Sequence, residues 1–315
     1  MSALICGSFA YDNIMVFQDH FKNHILPDKI HILNVSFLVP KLRREFGGCA
    51  GNIAYNLKLI GGEPIPMGMV GDDFSPYAEW MRQCGINARH VKVAAGTLTA
   101  QAFITTDLAD NQITAFHPGA MERSADNKVS DVGGITIGII APDGRQGMID
   151  HAAQFAAANI PFIFDPGQGM PMFDGNDLKC FIDQATWVTV NDYESQLMQE
   201  RTGWSNEEIA KKVDALIVTR AGDGSWIYTQ GKRLDIPTAK PRQIVDPTGC
   251  GDAYRAGLLY GLMNKFEWEV TGRMASLLGA IKIAHAGTQN HRFTRAEFAK
   301  AYSDAFGQSL SWPAK

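Results

Sequence analysis

The run Asp246-Pro247-Thr248-Gly249-Cys250-Gly251-Asp252-Ala253-Tyr254-Arg255-Ala256-Gly257 has the residue types of an anion site. A turn-forming start and two glycines lead into a helical stretch in which Ala253, Gly257, Leu258, Gly261 and Leu262 share roughly one stripe. Glycine at such an entry lets backbone N–H groups face outward without interference from a Cβ. A helix N-terminus with free N–H groups and the positive end of the helix dipole attracts negative charge. Asp252 stands at that same end. A carboxylate beside a transferring phosphoryl group can accept the proton of an attacking hydroxyl. The same spacing also suits a Gly-rich turn in which Asp252 only caps the helix. A second constellation, Asn191 with Glu194, can serve a cation and its phosphate or cap a helix.

These residues need elements to hold them. Short apolar runs predict strands over Ala3–Cys6, Ile135–Ile140, Pro161–Phe164, Trp187–Val190 and Leu216–Val218. Helical patterns, such as Gly147–Ala158 and Glu207–Val213, lie between several of them. This alternation predicts an α/β fold with a mostly parallel sheet and helices on both faces. Ligands of such sheets sit outside the carboxyl ends of the strands. Asp165, Asn191 and Thr219 each end one of the predicted strands. Residues 12–45 and 97–117 instead alternate polar and apolar residues in short bursts, predicting antiparallel strands in a small separate sheet.

The bulk numbers narrow the partners. With 315 residues, the chain buries a large core without disulfide or metal staples. Its 29 basic and 33 acidic residues leave a net charge of −4, so neither nucleic acid nor a membrane surface is an expected partner. Five scattered cysteines include no CxxC pair, which fits a reducing, cytoplasmic setting. The opening MSALICGS does not read as a signal peptide. A GxxxxGK[ST] loop, a GxGxxG after the first strand, the protein-kinase signatures and HExxH are all missing from the sequence.

Further motifs accompany the first. Gly47-Gly48-Cys49-Ala50-Gly51-Asn52, Gly71-Asp72-Asp73-Phe74, Asn191-Asp192-Tyr193-Glu194 and Thr219-Arg220-Ala221-Gly222-Asp223-Gly224 precede the 246–257 run in the chain. In content and order the five resemble the signatures of the PfkB, or ribokinase-like, carbohydrate and nucleoside kinases. Phe116-His117-Pro118-Gly119-Ala120-Met121, Thr202-Gly203-Trp204 and Gly287-Thr288-Gln289 look most like the bacterial ribokinase-like adenosine kinases.

That resemblance implies a single ribokinase-like three-layer α/β/α domain over residues 1–315. Segments 12–45 and 97–117 would form a β-sheet lid, through which a homodimer could assemble. It implies ATP- and Mg²⁺-dependent phosphorylation of the 5′-hydroxyl of adenosine, with K⁺ as activator. A sugar kinase, another nucleoside kinase or a silent sugar sensor are the alternatives on the same fold. By resemblance Asp252 is the general base, and the N–H groups of Gly249, Cys250 and Gly251 form the anion hole. Ser8, Asp12, Ser36, Gly48, Asn52, Phe116 and Gln168 face the nucleoside. Asn191, Thr219, Gly222 and Gly224 line the nucleotide. Asn191 and Glu194 serve Mg²⁺ through water, and Asp246 and Thr248 belong to a K⁺ site. A second base-stacking aromatic is expected where Ala102 stands, and Phe103 beside it points to the other face of a regular strand.

Overall fold

The computed structural model describes residues 1–25, 31–32, 34–109 and 111–313. Residues 26–30 and 33 of the first lid segment and residue 110 of the second lie outside the described residues. From the N-terminus run β1 (Ser2–Cys6), β2 (Ala10–Val16), β3 (Leu42–Gly47), α1 (Cys49–Leu59), β4 (Glu63–Val70), α2 (Ser75–Gln83) and β5 (His90–Val93). Then come β6 (Ala100–Thr106), β7 (Gln112–His117), β8 (Ile135–Ile140), α3 (Arg145–Ala157), β9 (Phe162–Phe164), α4 (Gly175–Gln184) and β10 (Trp187–Asn191). The chain continues through α5 (Asp192–Thr202), α6 (Asn206–Ala210), β11 (Ala215–Thr219), β12 (Ser225–Thr229) and β13 (Lys232–Ile236). It closes with α7 (Cys250–Met263), α8 (Trp268–Ile283) and α9 (Arg295–Phe306).

The main sheet has the order β13-β12-β11-β10-β9-β8-β1-β4-β5. Every pairing from β5 to β11 is parallel, and β12 and β13 extend it as antiparallel strands. Alternate side chains of the buried strands feed two separate cores. Ala3, Ile5, Ala215 and Ile217 pack with α1, α7, α8 and α9. Leu4, Cys6, Leu216 and Val218 pack with α3, α4, α5 and α6. This is the expected three-layer α/β/α arrangement. Among the described residues no helix is long and apolar enough to cross a membrane.

The lid is the four-stranded sheet β3-β2-β6-β7. Its β2–β3 and β6–β7 pairings are antiparallel, as the alternating pattern predicts. The central β2–β6 pairing is parallel, which corrects the expectation of a purely antiparallel sheet. Both strands follow a parallel main-sheet strand at its carboxyl end, β2 after a three-residue link from β1 and β6 after a six-residue link from β5, so they run in one direction. Glu45, Asp12, Ala102 and Phe116 are register partners in sequence across the four strands and therefore share one lid face.

The lid joins the main domain at Gly47-Gly48, directly before α1. Gly48 has φ +84° and ψ 141°, a region open essentially to glycine. A Cβ there would lie 2.6 Å from backbone atoms of Ser8, Phe9 and Ala10. Gly48→Ala is therefore expected to destabilise the protein by at least about 2 kcal/mol, from strain and overpacking together. Urea melts measure this, and an unchanged midpoint would mean the junction relaxes freely.

Candidate active site

The carboxyl edge of the main sheet carries Ser8 after β1, Asp165 after β9, Asn191 closing β10 and Thr219 closing β11. The N-terminus of α7 faces that edge. Gly249 stands before it in the left-handed conformation, φ +78°, with no side chain capping the helix. Among the described residues the N–H groups of Gly249, Gly251 and Asp252 donate to no protein acceptor. The Cys250 N–H instead donates to the Pro247 carbonyl at 3.1 Å. This corrects the expected anion hole: Cys250's amide is spent on the turn, and Asp252's own amide takes its place beside those of Gly249 and Gly251. The site is then three outward N–H groups at the positive end of a 14-residue helix.

Asp252 is set by a chain of amides that can be read only one way. The Trp80 indole N–H is a donor alone, so it fixes Gln289 Oε1 as its acceptor at 2.9 Å. Gln289 must then present Nε2 to Asn52 Oδ1 at 3.0 Å, and to the Tyr77 hydroxyl at 2.7 Å. Asn52 in turn has only Nδ2 left for Asp252, and donates to its Oδ2 at 2.8 Å. Tyr77 passes its own proton to the Gly47 carbonyl at 2.8 Å, tying the network to the lid junction. Asn52 was expected on the sugar, and its amide here orients Asp252. Burial pushes the Asp252 carboxyl up to about 6, with the Asn52 hydrogen bond opposing and the Asp165 charge reinforcing. A base so tuned is charged at neutral pH and close to the range where proton transfer is efficient.

Below it lies an ion pair that the sequence reading did not assign. Arg255 donates from Nε to Asp165 Oδ2 at 3.0 Å and from Nη2 to Oδ1 at 2.9 Å. Both side chains are buried, at 6% and 4% exposure. The available signal was spacing: Arg255 follows Asp252 by one helical turn and so shares its face.

The acceptor side is formed by the lid. The Asp12 carboxylate has no hydrogen-bond partner among the described residues, and burial, then the Asp246 and Glu45 charges, push it up to about 6. A Cβ on Gly47 would lie 2.5 Å from its Oδ2, so glycine there leaves the carboxylate its room. Ala102 and Phe116 continue the same row, and Phe103 pairs with Ala115 on the opposite face. The ring of Phe116 is 52% exposed and stands without a second aromatic facing it in that row. Ser8 is buried, and its Oγ accepts the Cys49 N–H at 3.2 Å, capping α1. Gln168 follows Asp165 in a short turn and is exposed. Ser36 is exposed in irregular chain, and no hydrogen bond ties it to the other candidates among the described residues.

On the nucleotide side Asn191 and Glu194 form a reciprocal cap on α5: Asn191 Oδ1 accepts the Glu194 N–H at 2.7 Å, and Glu194 Oε2 accepts the Asn191 N–H at 2.8 Å. Glu194 Oε1 remains without a partner among the described residues, and burial, then the Asp165 charge, raises the carboxyl above its ordinary value. Among the described residues no cluster of three ligating side chains could cage a metal. One carboxylate oxygen with open space fits Mg²⁺ held through water and phosphate. Thr219 Oγ1 donates to the Val190 carbonyl at 3.4 Å, and the loop after it turns through Gly222 and Gly224 with the Arg220 guanidinium 4.1 Å from the Trp226 ring centroid.

The K⁺ expectation at Asp246 and Thr248 does not fit. The Asp246 carboxylate accepts the Thr248 N–H at 2.9 Å and the Gly287 N–H at 2.9 Å. The Asp246 carbonyl, which a cation would need, already accepts the Lys282 ammonium at 2.6 Å.

Comparison with known proteins shows the family. Residues 12–294 match the pfkB family of carbohydrate kinases. The chain belongs to that family. A nucleoside kinase of Methanocaldococcus jannaschii is 30% identical over 260 residues, covering 82% of this chain and 85% of the relative. The solved nucleoside kinase of Burkholderia thailandensis in complex with inosine is 51% identical, covers 98% of this chain and 99% of that one, and superposes with a TM-score of 0.89. The adenosine kinase of Sinorhizobium meliloti, at 21% identity, a TM-score of 0.74 and coverage of 95% of this chain and 98% of that one, shares the fold. The lid and three-layer core of this PfkB-family chain are thus the ribokinase-like fold expected from the sequence.

Three expectations follow. Asp252→Asn keeps the fold and lowers turnover by roughly 10²–10⁴-fold, in kcat more than in KM. In the wild type kcat/KM falls as pH drops through about 6, where Asp252 and Asp12 take up protons and the base can no longer accept one. A flat profile from pH 8 to pH 5, or a folded Asp252→Asn variant with normal turnover, removes Asp252 from the chemistry. Arg255→Leu strands the buried Asp165 charge and costs about 3–5 kcal/mol of stability. Denaturant unfolding of the double variant with Asp165→Asn should recover part of that loss.

Proposed function

We propose that this chain is an ATP-dependent nucleoside kinase acting on purine nucleosides, adenosine among them, at the 5′-hydroxyl. The observation that carries the reading is the pairing of Asp252, oriented by Asn52, with three outward N–H groups at the start of α7, opposite a lid face bearing Asp12 and Phe116. In this reading Asp12 accepts hydrogen bonds from ribose hydroxyls, which a carboxylate does well. Phe116 offers the base a flat, polarizable face. Asp252 takes the proton of the 5′-hydroxyl as its oxygen attacks the γ-phosphorus. The new O–P bond forms as the bond to the β-phosphate oxygen breaks, and ADP and a nucleoside monophosphate leave. The N–H groups of Gly249, Gly251 and Asp252 stabilise charge on the moving phosphoryl group. Mg²⁺, carried with the nucleotide near Glu194, would neutralise charge on the β- and γ-phosphates.

Adenosine was the acceptor expected from the sequence, and the pocket supports a broader choice. With Ala102 opposite Phe116, the base is stacked from one side. Selection between adenine and hypoxanthine then rests on contacts at the ring edge rather than on a closed aromatic slot. The inosine complex of the Burkholderia relative supports the same breadth.

ADP release against a panel of nucleosides and sugars tests the reading. Adenosine and inosine should both exceed ribose in kcat/KM. Phe116→Ala should weaken both nucleosides by about threefold to tenfold, the worth of one aromatic contact, and leave ribose unchanged. Ribose as the best acceptor, or equal damage to ribose and nucleosides in Phe116→Ala, would point to a sugar kinase instead.

A further inference from the structure

Lys282 sits in the last turn of α8, and its side chain has no exposed surface. A wholly buried lysine demands oxygen partners, because its ammonium has three donors and no acceptor. The partners here are mostly backbone. Nζ donates to the Asp246 carbonyl at 2.6 Å and to the His285 carbonyl at 3.3 Å, and Asp246 Oδ1 lies 3.9 Å away. Two carbonyls and a carboxylate oxygen are the hard, preformed donor set that a dehydrated monovalent cation would take. The α8 carboxyl end adds the negative pole of its dipole. An ammonium group is close to K⁺ in size, and the two cannot occupy one position.

The surrounding contacts say what this charge holds. The Val245 and Asp246 N–H groups both donate to the Ile283 carbonyl, at 2.9 and 3.1 Å. The Asp246 carboxylate then accepts the Thr248 N–H, on the way into the α7 N-terminus, and the Gly287 N–H, on the following loop. Lys282 therefore bonds the residue from which the turn 246–249 is hung. Burial works against the charge on Asp246, and the Thr248 and Gly287 N–H groups outweigh it, holding the carboxyl below its ordinary value.

We propose that the Lys282 ammonium stands in for the monovalent cation at the loop leading into α7, so that phosphoryl transfer by this chain needs no added K⁺. Lys282 is a positioning residue: it touches neither substrate nor nucleotide, and acts by fixing the turn that aims the Gly249, Gly251 and Asp252 N–H groups. The proposal rests on the phosphotransfer reading above for its activity readout, and thermal melting supplies a second, independent readout.

The experiment compares wild type and Lys282→Met in potassium, sodium and tetramethylammonium chloride at equal ionic strength, by ADP release and by Tm. Wild-type rates and Tm should agree across the three salts to within about twofold and about a degree, the residue of general salt effects. Lys282→Met should lose about tenfold or more in kcat, the usual scale for a disturbed anion hole, with little change in nucleoside KM. Potassium, and not tetramethylammonium, should then restore part of kcat and raise the variant's Tm by binding the vacated carbonyls. Severalfold activation of the wild type by potassium would overturn the proposal, as would normal kcat in a folded Lys282→Met. A folded, slow variant indifferent to potassium in both readouts would also overturn it, since the ammonium would then do something other than fill a cation position. If the variant does not fold, the wild-type salt comparison decides alone. A wild type inactive on every nucleoside in every salt would sink the phosphotransfer reading and leave the Tm comparison to judge Lys282.

Discussion

The uncapped first turn of α7 is the constraint to which the rest of the structure answers. A helix start ordinarily satisfies its N–H groups with a side-chain cap or solvent. Here Gly249 offers no side chain, and the carboxylate that could cap, Asp252, is drawn away by Asn52. Three N–H groups and a carboxylate are thus kept from satisfying one another. That arrangement would collapse onto itself if either were loosened. The Trp80–Gln289–Asn52 relay holds the carboxylate, and the Asp246 turn holds the N–H groups.

The electrostatics follow from the same need. The Asp165 charge raises both Asp252 and Glu194, and Arg255 is the cation that all three carboxylates act on. Arg255 spends Nε and Nη2 on Asp165 and Nη1 on the Gly251 carbonyl, so Asp252 and Glu194 receive only its longer-range field. The floor of the site is neutral as a pair, while the groups that meet ligand keep residual negative charge. In the proposed reading a polyanionic nucleotide would have to bring positive charge with it, as a divalent cation would supply.

Five strands of the main sheet, β1 and β8–β11, were legible because they are continuous apolar runs, four of them closed by Gly, Asp, Asn or Thr. The strand β4, with two prolines, and the edge strands β5 and β13 with the neighbouring β12, with their polar residues, were not. Ile135–Ile140 agrees to the residue, and Ala3–Cys6 and Trp187–Val190 differ from the observed strands by one. The direction of the β2–β6 pairing was not legible, since alternation marks a strand without naming its neighbour. Asp252 and its glycines could be read from type and spacing. The true donors of the anion site could not, because whether Cys250's amide is free depends on a turn closing back to Pro247. Lys282 looked like any lysine near a helix end, for carbonyl partners leave no mark in a sequence. The Asn191–Glu194 pair satisfies the capping geometry fully and still leaves one carboxylate oxygen free, so its two readings were never exclusive.

The loop after α8 fastens the lid along one margin. Thr288 Oγ1 donates to the Phe46 carbonyl, and Asn290 Nδ2 donates to Glu45 Oε2 at 2.9 Å, so β3 is pinned while β7 is the far, exposed edge. Any turn of the sheet about that margin would move its strands in proportion to their distance from β3. With strands about 4.8 Å apart, a rotation of about 20° about β3 carries Asp12 through only about 1.7 Å and Phe116 through about 5 Å. On the proposed reading, the carboxylate that faces the ribose would then stay nearly stationary, and the ring that faces the base would travel. In that reading the sugar would be gripped with little lid movement, and the base would be met last.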